Sequence, residues 1–521
     1  MNGSEQRAGI RQVPLEKLLG GISALELAGN REPAGEITCV TSDSREVIPG
    51  ALFVAVRGYC TDGHRFIKSA VERGAGSVIC EEIPSGIEDG VLFIKVTDAR
   101  IALAEAARIY YGEASDQLMI IGVTGTNGKT TTSKLITSML NARGISCGYI
   151  GTNLCTYAER EIPLDRTTPE AHGLHALFRQ MLDGGCRAVV MEVSSHALML
   201  KRVHGIRFRA AVFTNLTPEH LDFHETMEAY ASAKQLLFDQ LTPDGFAVLN
   251  RDDPASPFMA ERVRPEKIYC CSLSSRQPSS LACGNSFFAE ITGASIASSR
   301  VALHFPETVV SMEVRLPGSF NVMNMLEAAS VGFGMGLDPD EICRSLSLVS
   351  AVEGRMERVG ESCSGGMAFV DYAHTPDALF KALSTLRALK DEHSRLFVVF
   401  GCGGNRDRSK RPEMGRIASE LADEVIITSD NPRDEDPEAI LDAIEQGMNR
   451  GGRYRRIIDR AEAIRVAVSM IRTGDVLLVA GKGHEKYQEI SGRKAFFSDR
   501  EQLLTSMQHS CEGEPEKECE R

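Results

Sequence analysis

Of all the features in this chain, the run Gly122-Val-Thr-Gly-Thr-Asn-Gly-Lys-Thr-Thr-Thr132 leaves the fewest folds open. The apolar Leu118-Met-Ile-Ile121 before it reads as a buried strand, and Ser133 to Leu140 after it keeps a helical pattern. Strand, glycine-rich turn and helix together make a phosphate cradle, because backbone N–H groups and the positive end of the helix both favour an anion there. In such a cradle Lys129 reaches the outer phosphates of a nucleoside triphosphate and the Thr130 hydroxyl sits on magnesium. Gly125, Thr126, Asn127, Gly128 and Thr131 complete the nucleotide-binding turn. Where a strict version of the pattern has its first glycine this chain has Val123, so the loop is a variant flanked by Gly122 and Gly125. The plain alternative is a glycine-rich turn without a ligand. Lys-Thr at the helix start weighs against it.

The same alternation of strand and helix extends on both sides. A first block, residues 1–113, mixes short strands (Ala51 to Val56, Ser77 to Cys80, Val91 to Ile94) with helical stretches such as His64 to Arg73. Tyr111 to Asp116 reads as a linker. A second block, 114–350, carries the phosphate loop and strands at Ala188 to Met191, Ala210 to Phe213 and Phe246 to Leu249, with a strand-rich part over 260–315. A third, 351–510, has strands at Leu396 to Phe400, Glu424 to Ile427 and Asp475 to Val479, each followed by a loop of Gly, Asp, Asn or Arg. The pattern implies an α/β chain of about three domains, the central one with a mostly parallel sheet. Ligands collect at the carboxyl ends of such strands, so the loops of the third block are the second place to look. The glutamate-rich tail, residues 511–521, reads as a solvated, disordered end.

Composition narrows the partners. A net charge of −13 argues against a general nucleic-acid or anionic-membrane binder, so an anionic substrate needs a local cluster of Arg, Lys and N–H groups. No apolar run is long enough to cross a bilayer, and charged residues interrupt any signal-peptide core near the start. Fourteen scattered cysteines without a C-x-x-C spacing read as reduced thiols in a cytoplasm, with Cys270 and Cys271 as incidental neighbours.

Within the second block, Met191-Glu-Val-Ser-Ser-His196 ends an apolar strand with Glu192, where a phosphate-loop enzyme has a magnesium-binding acid; a strand-end surface acid is the alternative. Phe213-Thr-Asn-Leu-Thr-Pro-Glu-His-Leu-Asp-Phe-His224 sets His220 and His224 at helical spacing, which alone could suggest zinc, but Pro218 makes the backbone turn-like. His220 reads as a ligand or polar contact for a hard ion beside the phosphates, and His224 as structural. Tyr230 to Phe238 reads as an amphipathic helix whose one lysine, Lys234, could simply extend to solvent.

Taken in order, GVTGTNGKTTT, MEVSSHAL, FTNLTPEHLDFH, the YxxAK stretch and LPGSFNVMNMLEA resemble the Mur ligases of bacterial cell-wall synthesis. Thr41 to Arg45, Pro49 to Val54 and Asp62-Gly-His64 extend the likeness through the first block. Asp430-Asn-Pro-Arg433 and Gly481-Lys-Gly-His-Glu485 are similar to the branch that adds the third amino acid in its meso-diaminopimelate-specific form. The resemblance implies a UDP-binding N-terminal domain, a central ATPase and a C-terminal Rossmann-like domain. It also implies ATP, a pair of magnesium ions and a carbamate on Lys234. Lys129 then contacts ATP phosphates, while Thr130, Glu192, His220 and carbamylated Lys234 form the magnesium shell. Asn321 and Asn324 fall on the adenine-side motif, and Arg355 and Asp371 on interdomain nucleotide contacts. Ser42, Ser44, Thr167, Thr168, Ser194, Leu200 and Arg202 match positions that hold a UDP-muramoyl dipeptide, although Arg166 and Leu200 replace the asparagine and glutamine of some relatives. Arg406, Asp430, Asn431, Pro432, Arg433, Gly481 and Glu485 match those that hold the incoming amino acid.

The activity so implied is ATP-dependent amide formation between UDP-N-acetylmuramoyl-L-alanyl-D-glutamate and meso-diaminopimelate, by a cytoplasmic monomer acting on small molecules without nucleic acid or membrane. Competing readings are the L-lysine-adding counterpart, a folylpolyglutamate synthase-like ligase, and a nucleotide switch without bond-forming chemistry. The first-block motif Asp43-Ser-Arg45 and the later Asp430-Asn-Pro-Arg433 argue against the folate enzyme.

Overall fold

The computed structural model describes residues 11–29, 35–58, 61–85, 90–274, 281–362, 365–449 and 453–512. Three main sheets follow one another along the chain. The first has five strands in the order Ala24–Ala28, Leu92–Val96, Ser77–Cys80, Leu52–Val54, Val40–Thr41, all parallel except the first. The second has eleven strands, and seven neighbours from Cys147–Gly151 to Asn285–Ala294 run parallel. Antiparallel pairs close its two ends. The third has six strands, five of them parallel, from Met367–Asp371 to Tyr454–Arg456. The expected mixed α/β fold with mostly parallel sheets is present, and residues 260–315 are strand-rich as read from the sequence.

The central sheet is apolar on both faces because helices cover both, as parallel sheets require. Along Met119–Thr124, Ile121 and Val123 enter one core and Ile120 the other, following the strand period. Cys270 and Cys271 divide in the same way, one to each face. Their adjacency in sequence is therefore a separation in space.

Several boundaries differ from the sequence reading. The strand runs through Gly122 and Val123 to Thr124, so the phosphate loop proper begins at Gly125. The helix after it is Lys129–Ala142, starting before the expected Ser133. Its first turn is threonine-rich and buried, so no hydrophobic period announces it. Tyr111 to Asp116 is not a loose linker: Ala114–Gln117 is a 3-10 turn with Ala114 and Ser115 buried. The C-terminal helix Asp499–Glu512 enters the acidic tail, whose remainder, 513–521, lies outside the described residues. Among the described residues, no helix is long and apolar enough to cross a membrane.

Candidate active site

The phosphate loop is shaped by two glycines. Gly125 has φ 145° and Gly128 φ 89°, and a Cβ on Gly125 would lie 1.9 Å from Thr214 Oγ1. Asn215 secures the turn, taking the Thr126 N–H on its carbonyl and the Asn127 N–H on its side chain, both at 2.9 Å. Gly128 caps the helix, so Lys129, Thr130 and Thr131 occupy its first turn, where N–H groups have no helical acceptor. Lys129 is half-buried rather than solvent-facing, and its Nζ folds back onto the carbonyls of Gly125 (2.9 Å) and Thr126 (2.7 Å). Burial lowers its pKa, opposed by the charges of Glu219 and Glu192.

Those two carboxylates anchor separate clusters. Glu192, fully buried at the end of Ala188–Glu192, is no surface acid. It accepts from Thr130 Oγ1 (2.9 Å), Tyr149 OH (2.6 Å) and the backbone and hydroxyl of Thr152 (3.0 and 3.2 Å). Arg355 adds Nη2 on Thr130 Oγ1 at 2.9 Å, and Asp371 accepts the adjacent Met356 N–H at 2.7 Å. Burial raises the Asp371 pKa against the pull of Arg355. In the other cluster, burial pushes the Glu219 pKa up, but His374, His220 and Lys129 outweigh it and hold the group below the usual carboxylate range. His220 stands 3.8 Å from Glu219, and its pKa is lowered by burial.

The segment bends at Pro218, in line with its turn-like reading, and becomes helical only after His220. His220 takes φ 56° and caps one helical turn, Leu221–His224, with the His224 N–H on its carbonyl at 3.0 Å. His224 is buried and bonds Ser195 Oγ at 2.9 Å, a structural role. Lys234, on Met227–Gln235, does not extend to solvent: it is 1% exposed, 2.8 Å from the Gly125 carbonyl and 4.3 Å from the Tyr230 ring centre. Burial, then the charge of Lys129, lowers its pKa well below the ordinary lysine value. Of the four expected magnesium-shell residues, Thr130 and Glu192 touch, His220 stands by Glu219, and Lys234 lies behind the loop.

Thr168, Ser194 and Arg202 are linked: the Ser194 N–H reaches Thr168 Oγ1 at 3.1 Å and Arg202 Nη1 the Thr168 carbonyl at 3.1 Å. Thr167 meets Thr152, hydroxyl to hydroxyl, at 3.3 Å. Arg166 pairs with Glu170, which also binds Arg202 at 3.0 Å, so the departure from asparagine adds an ion pair here. Leu200 ends the short helix Ser195–Met199, its carbonyl accepting from Arg100 at 3.4 Å. Ser42 and Ser44 follow the edge strand of the first sheet, around Asp43. Asn321 and Asn324 are buried on Ser319–Gly334; Asn324 accepts from Thr132 at 3.3 Å, behind Gly128.

In the third sheet the loops at the carboxyl ends of the parallel strands bring together the remaining residues. Arg406, Asp430, Asn431, Arg433, Gly481 and Glu485 line one cleft of about 820 Å³ with Lys129, Thr130, Thr167, Glu192, Ser194 and His220. Pro432 packs its carbonyl against Gly404. Arg433 donates to the Gly404 carbonyl at 2.7 Å and stands 3.5 Å from Glu489. Burial, then the like charge of Arg433, lowers the Arg406 pKa, so the two guanidiniums together favour an anion. Sequence reasoning passed over Glu219, His374, Asp377 and Tyr372. Asp377 accepts from Asn127 at 2.8 Å, tying the third sheet's helix Pro376–Leu389 to the phosphate loop. Glu219 was legible as the neighbour of His220, whereas Asp377 reaches the phosphate loop through a contact 250 residues away along the chain.

Three family models match the chain in succession: Mur ligase family, catalytic domain, over 36–111; Mur ligase middle domain, over 123–332; and Mur ligase, glutamate ligase domain, over 354–483. A UDP-N-acetylmuramoyl-L-alanyl-D-glutamate–2,6-diaminopimelate ligase of Chlorobium phaeobacteroides is 60% identical over 504 residues, covering 96% of this chain and 98% of its own length. The enzyme of that name from Chlorobaculum tepidum is 59% identical over 500 residues, with 96% and 98% covered. A solved structure of a ligase of the same name superposes with a TM-score of 0.67 at 32% identity, covering 96% of this chain and 99% of its own.

Proposed function

Because the chain belongs to the Mur ligase family, we propose that its cleft joins meso-diaminopimelate to UDP-N-acetylmuramoyl-L-alanyl-D-glutamate with cleavage of ATP to ADP and phosphate. One observation carries this reading. The phosphate loop lines a single cleft with Arg406, Arg433 and Glu485, so an activated acid and an amine can meet there.

A carboxylate does not yield hydroxide to an amine at useful rates, so the acid first needs a leaving group. A γ-carboxylate oxygen of the D-glutamate attacks the γ-phosphorus of ATP, ADP leaves, and an acyl phosphate forms. The free amine of diaminopimelate then attacks the carbonyl carbon, and phosphate departs with the former carboxylate oxygen. Lys129 and Arg355 would offset the charge where two anions meet, Thr168, Ser194 and Arg202 would hold the dipeptide, and Asn321 and Asn324 would lie toward the adenine. The oxygen donors of Thr130, Glu192 and Glu219 suit magnesium, which would be held there with His220 and spread the phosphate charge. Lys234 fits a carbamate: its buried amine favours the neutral form that adds carbon dioxide, and the product is an anionic oxygen ligand. Arg433, with Arg406, would receive the distal carboxylate that distinguishes diaminopimelate from lysine, and Glu485 an ammonium.

We place domain divisions near 113 and 350, and infer a cytoplasmic monomer. Phosphate release should require ATP, the UDP-muramoyl dipeptide and the amino acid together. A polar site of this kind should favour meso-diaminopimelate over L-lysine by roughly 10⁴ in kcat/KM. Arg433→Ala should raise the KM for diaminopimelate steeply and leave that for ATP nearly unchanged. Equal kcat/KM for the two amino acids in the parent enzyme would make it the lysine-adding counterpart.

A further inference from the structure

Lysine is rarely buried completely, because its ammonium must recover lost hydration from nearby partners. Lys482 has no exposure at all. It follows Gly481 in the turn after Val476–Ala480, where Gly481 takes φ 118°. Its Nζ donates to Asn431 Oδ1 at 2.9 Å and stands 3.4 Å from Glu485 Oε2. The Tyr487 ring centre lies 5.5 Å away. Asn431, Glu485 and Tyr487 line the cleft, whereas Lys482 stands behind them.

These contacts decide how the wall of the cleft is presented. Asn431 Oδ1 accepts from Lys482 and also from the Glu489 N–H at 3.0 Å. With donors on both sides the amide oxygen cannot turn toward the cleft. Its nitrogen is left facing Glu485, to which it donates at 2.8 Å. The other Glu485 oxygen accepts from Tyr372 OH at 3.4 Å. A carboxylate gripped on both oxygens keeps one orientation, and the buried cation offsets its charge.

We propose that Lys482 is the positioning residue of the amino-acid pocket, fixing Asn431 and Glu485 from behind so that the carboxylate meets the ammonium of the incoming amino acid in one geometry. The proposal rests on the reading that Asn431 and Glu485 hold that amino acid. It gives Lys482 no contact with substrate, and it separates the residue from an ordinary core cation. A purely structural lysine would lower stability and affect every substrate alike.

Three variants test it: Lys482→Met, Glu485→Gln and the double substitution, with KM measured for meso-diaminopimelate, ATP and the UDP-muramoyl dipeptide. Lys482→Met should raise the diaminopimelate KM about tenfold or more, and leave the other two within about twofold. The double variant should lose less than the two single losses combined, because both changes act in part on the Lys482–Glu485 contact. Lys482→Arg, which keeps the charge, should recover part of the loss. If the methionine variant does not fold, Lys482→Gln and Lys482→Arg take its place, with the glutamine variant the weaker of the two. An unchanged diaminopimelate KM in the Lys482 variants, with a raised one in Glu485→Gln, overturns the proposal alone. So do fully additive losses. If Glu485→Gln also leaves that KM unchanged, the reading of the pocket falls, and the role of Lys482 with it.

Discussion

A fully buried lysine whose amine meets a backbone carbonyl, and no carboxylate, is a poor way to stabilise a fold, and Lys234 is such a group. The proposed carbamate would turn that buried amine into an anionic oxygen ligand beside the phosphate loop. Lys234→Ala should lose most ligase activity and regain part of it when a short carboxylate such as acetate is supplied. Full activity in the alanine variant without any additive would contradict this role. At this scale contiguous motifs led to some of the cleft: Lys129, Thr130 and Glu192 line it, whereas Lys234, Asn321 and Asn324, also drawn from motifs, do not. The sequence was less legible in the attitude of side chains. The motif put Lys129 on phosphates, but the side chain is bent onto the Gly125 and Thr126 carbonyls. Asp377 and Lys482 gain their roles largely from partners far along the chain, which no local pattern carries.

Strands read from apolar runs were found close to their places, three of them, Ser77–Cys80, Leu396–Phe400 and Glu424–Ile427, with the same limits. Helix starts were missed where the first turn is polar, as at Lys129. The pairing of that helix with Ser319–Gly334 joins apolar residues such as Ile136, Met139, Met325 and Ala329 with buried polar groups that no apolar period marks. Glu327 lies wholly buried between them, accepting from Thr132 Oγ1 at 3.0 Å, and burial raises its pKa to about 8. The folded protein therefore holds this proton where the unfolded chain has lost it. The stabilising contribution is complete below the ordinary glutamate range and fades as pH rises through about 8. Glu327→Gln, which stays neutral, should gain in melting temperature relative to the parent as pH rises from about 5 to about 8, by an amount on the order of a few degrees. A difference that does not change over that range would mean that Glu327 is not protonated in the fold.

On the scale of the whole molecule, the alternation of strands and helices was enough to expect an α/β chain with mostly parallel sheets, and the loops at strand carboxyl ends were the right place to seek the cleft. How the sheets face each other could not be read, since it rests on single contacts: Asn127 to Asp377, Arg355 to Thr130, and His484 to the Thr152 carbonyl at 3.2 Å. Those contacts bring the phosphate loop and the loops of the third sheet together, as amide formation through an acyl phosphate requires. The most direct test of that route follows oxygen. With the γ-carboxylate of the UDP-muramoyl dipeptide labelled with oxygen-18, turnover with ATP and meso-diaminopimelate should deliver one labelled oxygen to the released phosphate for each amide formed. Amide formation with unlabelled phosphate would contradict activation through an acyl phosphate, and with it the account of the cleft.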